Sequence, residues 1–183
     1  MDIAELEAAV SDPNSAQFLR AWLGWRGARL APRRGDMVLR DIAPLLGSVA
    51  LFEPRGADEI LIRLAGTSLR ELVDFELTGR NFRDITAPAD WPLRRRRLAT
   101  MSARPCGGFM HYRDVQPSGR TVMFEAVTLP LEAELPGKPH LLISCSSLLN
   151  RSFQDPRRVQ PRSIPLADDF AFVDVGAGTT PVD

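Results

Sequence analysis

Residues 63–85 read RLAGTSLRELVDFELTGRNFRDI, and how they are parsed decides the fold. The opening residues close a strand. In EILIRLAG (59–66), Ile60, Ile62 and Leu64 fall on one face and Leu61, Arg63 and Ala65 on the other. After Gly66, TSLRELVDF (67–75) predicts a short helix in which Thr67 or Ser68 is the cap and Glu71 lies at capping-box distance from Ser68. Gly79 then turns the chain between two short helices, a backbone geometry that often demands positive φ. A second helical piece follows near 82–86, and Pro88 after it.

Upstream, residues 48–53 predict a strand, and the tight turn Gly56-Ala57-Asp58 joins it to 59–66 as an antiparallel hairpin. Downstream, DWPLRRRRLATMSA (90–103) predicts a longer helix with Pro92 in its first turn. Trp91, Leu98 and Met101 share one side, and Arg94, Arg95, Arg96 and Arg97 wrap around the other as a solvated face, or as a dock for an anionic partner. Three strands complete the core. GGFMHYRDV and GRTVMFEAVTLPL flank the turn QPSG, and PHLLISCSSL follows the turn ELPGK, so the three form a meander.

At the chain's start, residues 2–10 predict a short helix with acids at its positive end. In SDPNSAQFLRAWLGWRG (11–27), Phe18, Trp22 and Trp25 recur at helical spacing. Asp12 or Ser15 caps this helix and Gly27 closes it. Its stripe covers one side only, so it must dock on something. A short helical turn follows near 38–46. From 151 on, the proline- and arginine-rich SFQDPRRVQPRSIP reads as irregular, while FAFVDVGAG is apolar enough to dock.

Two strands, a helical insert and a three-strand meander resemble the PAS fold. The residues that carry the likeness are RLAGTSLRELVDFELTGRNFRDI, in particular Glu76, Leu77, Gly79, Phe82, Asp84 and Ile85. More narrowly, AWLGWRG, the pair Pro32-Arg33, RLAGTSLREL and the closing VDVGAG resemble a divergent bacterial group of short, stand-alone PAS proteins. The resemblance implies an α+β fold: a five-stranded antiparallel sheet with helices over one face, an N-terminal helix and a docked C-terminal tail. It divides the chain into an N-terminal helical extension (1–47), a PAS-like core (48–150) and an irregular tail (151–183). It also implies a non-enzymatic sensory or regulatory module that binds a small ligand or a partner signalling protein, and that pairs as a homodimer through the N-terminal helix.

Composition agrees with a soluble, self-sufficient domain. The 183 residues carry 23 basic and 23 acidic side chains, so no global field draws the chain to nucleic acid or to a membrane. Lys138 is the only lysine, and this arginine bias fits a GC-rich coding sequence. Two cysteines, Cys106 and Cys145, are too few for a zinc cluster or a disulfide framework. No run approaches the length of a membrane helix, and MDIAELEAAV carries acids where a signal peptide is basic, which points to the cytoplasm.

The motif GRNF poses the cofactor question. In the flavin-binding members of the family that the chain resembles, a cysteine stands where this chain has Phe82, and its thiolate attacks the excited ring. Phe82 cannot do so, and Glu125 stands where an asparagine on the fourth strand would meet the ring edge. Haem is disfavoured because His111 and His140 both fall on strand segments, not on a pocket-facing helix. No paired metal-ligand motif and no glycine-rich phosphate loop is present. Flavin and haem are therefore not expected, and the cofactor stays open. The expected pocket lies between sheet and helices, with Trp91, Met101, His111 and Glu125 as its ligand-binding candidates. A rival reading makes Cys106, His111 and Glu125 the centre of a small enzyme. Another makes the chain a structural adaptor with a filled core.

Overall fold

The computed structural model describes residues 1–56, 58–73, 75–115, 120–133, 135–154, 163–167 and 169–179. Helices α1 (Ile3–Ala9) and α2 (Pro13–Arg26) lead through 3₁₀ turns at Arg34–Asp36 and Leu39–Ser48 into strands β1 (Val49–Gly56) and β2 (Glu59–Ala65). Helix α3 (Thr67–Val73), a 3₁₀ turn at Phe82–Ile85 and helix α4 (Trp91–Ala103) form the insert. Strands β3 (Cys106–Val115), β4 (Arg120–Leu131), β5 (Leu141–Gln154) and β6 (Asp169–Asp174) follow. The predicted turn QPSG lies outside the described residues.

The sheet is antiparallel, in the order β2-β1-β5-β4-β3-β6. It has six strands where five were expected. The additional one comes from the tail: β6 lies along β3, with Met110 opposite Phe170 and Gly108 opposite Phe172. Without it β3 would present a row of unpaired amides at the sheet edge, a state that native sheets avoid. The docked tail is thus a strand. The described start of the expected irregular segment is extended too, since β5 runs on to Gln154.

Local chemistry explains the N-terminal element. The Asp12 carboxylate accepts from the Asn14 and Ser15 amides, Pro13 opens α2, and Gly27 leaves it at φ 55°. The apolar stripe of α2 then lies on one face of the sheet. Phe18, Leu19 and Trp22 are buried there with Val127, Leu129, Leu131, Ile143 and Cys145. Helix α4 and the turn at 82–85 cover the other face, where Ile60, Ile62, Phe82, Trp91, Leu98 and Met101 pack with Leu142. Both faces are therefore covered, and the sheet is the middle of three layers.

One expected face assignment is corrected. Ile60 and Ile62 are buried, but Leu64 is exposed and Ala65 turns inward. The pairing shows why: Phe52 faces Ile62 while Leu51 faces Leu64, so Arg63 is an extra residue in β2. Such a bulge shifts the alternation by one, and every later side chain changes face.

Gly66 sits where β2 meets the 3₁₀ turn before β1. A Cβ there would lie 2.1 Å from the Leu46 carbonyl oxygen and 2.3 Å from that of Gly47, both backbone atoms that cannot swing aside. Gly66→Ala is expected to cost about 2–3 kcal/mol in chemical denaturation, the range of a small overpacking. A loss below 0.5 kcal/mol would show that the junction yields easily. No helix among the described residues is long and apolar enough to cross a membrane.

Candidate functional site

The GRNF motif is first of all a clamp on β2. Gly79, at φ 83°, donates to the Ile62 carbonyl at 2.7 Å, and Ile62 donates back to that of Arg80 at 2.9 Å. The Asn81 side-chain oxygen accepts from the Ile60 and Arg83 amides, and its amide group donates to the Asp58 carbonyl. These bonds fix the turn so that Phe82 points inward. Its ring stacks on Phe52 with centroids 5.1 Å apart and planes 8° from parallel.

Beneath Phe82 lies a cavity of about 130 Å³ between the inner face of the sheet and α3, α4 and the tail segment 163–167. Its floor includes Ala50, Met110, Ala126 and Ser144; its roof includes Leu69, Leu77, Leu98 and Met101. The sheet-side polar groups are few. Thr128 donates its hydroxyl to that of Ser144 at 2.9 Å, and Tyr112 stacks on Phe124. A largely apolar hollow with a few placed polar groups is the usual character of a small-molecule site.

The buried charged group in this wall is Arg94, which was expected on a solvated face. It is only 6% exposed. The helix repeat explains the correction: position 94 lies on the side of Trp91, Leu98 and Met101, three, four and seven residues away. Its guanidinium lies over the Phe82 ring, 4.8 Å from the centroid. It donates to the Thr86 hydroxyl at 2.9 Å, to the Ile164 carbonyl at 3.0 Å and to the Pro165 carbonyl. No carboxylate among the described residues stands at ion-pair distance from it. Burial lowers its pKa to about 10, partly opposed by Asp90. Arg97 also borders the cavity and covers the Phe170 ring at 4.2 Å, while Arg96 is solvent-exposed.

Of the sequence-derived candidates, Met101 lines the cavity. Trp91 is buried nearby, outside the lining, with its indole N–H donated to the Asp58 carboxylate at 3.1 Å. His111 and Glu125 lie on the opposite face of the sheet, where His111 Nε2 is 3.5 Å from Glu125 Oε2. There Glu125 accepts from the Ser11 amide and hydroxyl and from the Asp12 amide, so it ties the N-terminal helices to β4. Cys106 belongs to the core on the cavity side of the sheet, away from His111. Burial pushes its thiol up to about 11, so it is protonated at neutral pH. Cys145, on the other face, is pushed up to about 12 for the same reason. Cys106, His111 and Glu125 do not converge on a common space. Sequence reasoning missed Arg94, Tyr112, Met110 and Ala126 as cavity residues, although strand alternation and the helix repeat mark them.

Comparison with known proteins bears on the fold. No curated protein matches the chain. Among solved structures it is similar to a fungal LOV domain photoreceptor, at 20% identity and a TM-score of 0.39 over 56% of this chain and 74% of that one. It is similar also to a PAS domain of a protein from Colwellia psychrerythraea, at 11% identity and a TM-score of 0.42 over 61% and 96%. A third is VqmA of Vibrio cholerae, at 13% identity and a TM-score of 0.45 over 62% of this chain and 52% of that one. The family model described as PAS domain matches residues 10–145, well over half the length. The chain belongs to the PAS domain family.

Proposed function

We propose that this PAS domain is a non-enzymatic sensory module that binds a small ligand in the cavity under Phe82 and passes its state to a partner protein. The observation that carries this reading is the cavity itself: about 130 Å³ left open in a core whose other large side chains are closely buried. Native interiors rarely leave such space without use. The wall segment 163–167 precedes β6, and β6 in turn holds the first residues of the chain through the Asp174 amide and the Met1 carbonyl at 2.8 Å. A ligand that binds one position of this wall better than another would bias both termini, which is the requirement for a switch. Self-association through α2 would use its polar side, around Arg20 and Gly24, because the apolar stripe is buried against the sheet.

The test is a ligand screen by thermal shift and NMR on the full chain beside Ala126→Leu, which fills the floor of the cavity. A ligand at a hundred times its Kd stabilises by about 2.7 kcal/mol, and Ala126→Leu is expected to remove that gain while it stays folded. A wild-type protein that no small molecule stabilises would favour the adaptor reading.

A further inference from the structure

We propose that the cavity takes a small apolar monocarboxylate, its carboxylate on the Arg94 guanidinium and its hydrocarbon part between Phe52, Leu77, Met101 and Met110. The inference rests on the reading of the cavity as a ligand site and specifies its chemistry. Three observations carry it.

The first is a buried charge that Asp90 alone among the described carboxylates offsets, and only in part. Arg94 is buried to 6% exposure, and its described partners are a hydroxyl and two carbonyls, all neutral. A buried ion with no ion pair among the described residues is costly, and an anion brought in by a ligand offsets that cost. The guanidinium keeps its charge at neutral pH even with its pKa at about 10. Those bonds account for three of its N–H groups, and a guanidinium has about five. Both Nη2 hydrogens are taken by the Ile164 and Pro165 carbonyls, so the two that remain, one on Nη1 and one on Nε, lie on different edges of the guanidinium. A ligand oxygen is then met by a single N–H, which suits one carboxylate better than the many acceptors of a phosphate.

The second is the rest of the wall. Apart from Arg94 at one side, Arg97 at the edge and the hydroxyls on the floor, it is aliphatic and aromatic. Arg97 faces the Phe170 ring. A second carboxylate away from Arg94 would lie among these apolar groups unless it drew Arg97 off the Phe170 ring, which disfavours dicarboxylates of similar length.

The third is size. The volume of 130 Å³ is close to a cavity known to hold benzene, which sets a ligand at roughly six to ten heavy atoms. Benzoate, 3-methylbutanoate and hexanoate are of that size.

Calorimetric and NMR titrations of the full chain with these three acids, beside benzamide, benzyl alcohol and phthalate, test the proposal. At pH 7 at least one monocarboxylate is expected to bind about tenfold or more tightly than its neutral counterpart, the scale of a charged hydrogen bond. Its resonance shifts should map to Ala126, Met110 and Met101. Arg94→Met should abolish that preference while benzyl alcohol still binds. Because Arg94 also holds the 163–167 segment, Ala126→Leu serves as a second variant and should weaken all ligands alike. Equal affinity for benzoate and benzamide, or tighter phthalate than benzoate, would overturn the monocarboxylate assignment and leave the ligand site standing. Binding that Ala126→Leu leaves unchanged would place the ligand elsewhere and overturn both.

Discussion

Trp22→Ala is expected to lower the stability of the domain by about 4 kcal/mol, the upper part of the usual cost of an aromatic-to-alanine change in a core. The indole is fully buried between α2 and the sheet, and its N–H donates to the Pro130 carbonyl at 2.9 Å. Truncation leaves a cavity that the facing strands cannot close, because β4 and β5 are held in one register through the eight paired positions from Phe124 to Leu131. It also leaves the Pro130 carbonyl without its donor. Trp22→Phe separates the two effects: it keeps most of the apolar contact and should cost only about 1–2 kcal/mol, the hydrogen bond plus imperfect fit. Since a domain is typically stable by about 5–15 kcal/mol, the alanine variant should still fold, with its urea midpoint strongly reduced. A loss below 1 kcal/mol would mean that α2 is an appendage and not the third layer.

This third layer was only half legible. The stripe of Phe18, Trp22 and Trp25 and the caps Asp12 and Gly27 announce a helix that must dock. Nothing local names its dock, because the partners Val127, Leu129 and Ile143 lie more than a hundred residues on. The hairpin and meander were readable from alternation and short turns. β6 was not, because six residues give a weak period and their partner β3 is about sixty residues earlier. The face of Leu64 was misjudged for a different reason: a bulge at Arg63 leaves no mark in the residue types.

The candidate site shows the same division. Met101 followed from the helix repeat, and the same repeat marks Arg94, but four adjacent arginines read as a solvated face. Composition outweighed periodicity there. In a helix the angular position decides burial, and the charge is then handled by neighbours such as Thr86 and the Ile164 carbonyl. Those neighbours come from separate elements, which only the folded chain assembles.

Glu125→Ala is expected to cost about 3 kcal/mol at pH 7, because it removes the common acceptor of a buried cluster rather than one exposed charge. The carboxylate is fully buried and accepts from the Ser11 amide at 2.9 Å, the Ser11 hydroxyl at 2.7 Å and the Asp12 amide at 3.2 Å. Its substitution strands these donors at the junction of α1 and α2, and each buried donor left unmet costs about 1–3 kcal/mol. Burial alone would raise the pKa of Glu125, but the bonds from Ser11, Ser15 and Asp12 outweigh it and hold the group below the ordinary glutamate range. The sign of the pH effect follows. A carboxylate with a folded-state pKa below its unfolded value, which is about 4.3, adds stability that is fully present above that value. That stability is lost as the pH falls through the folded-state pKa. Glu125→Gln keeps an acceptor oxygen but not the charge, so it should cost about 1–2 kcal/mol at pH 7 and progressively less as the pH falls below the unfolded value. The decisive measurement is the difference in unfolding free energy between wild type and Glu125→Gln at several pH values from 7 to 3. Convergence of the two curves in acid supports the ionised anchor; parallel curves would mean that Glu125 is protonated in the fold and that the N-terminal layer is held by packing alone.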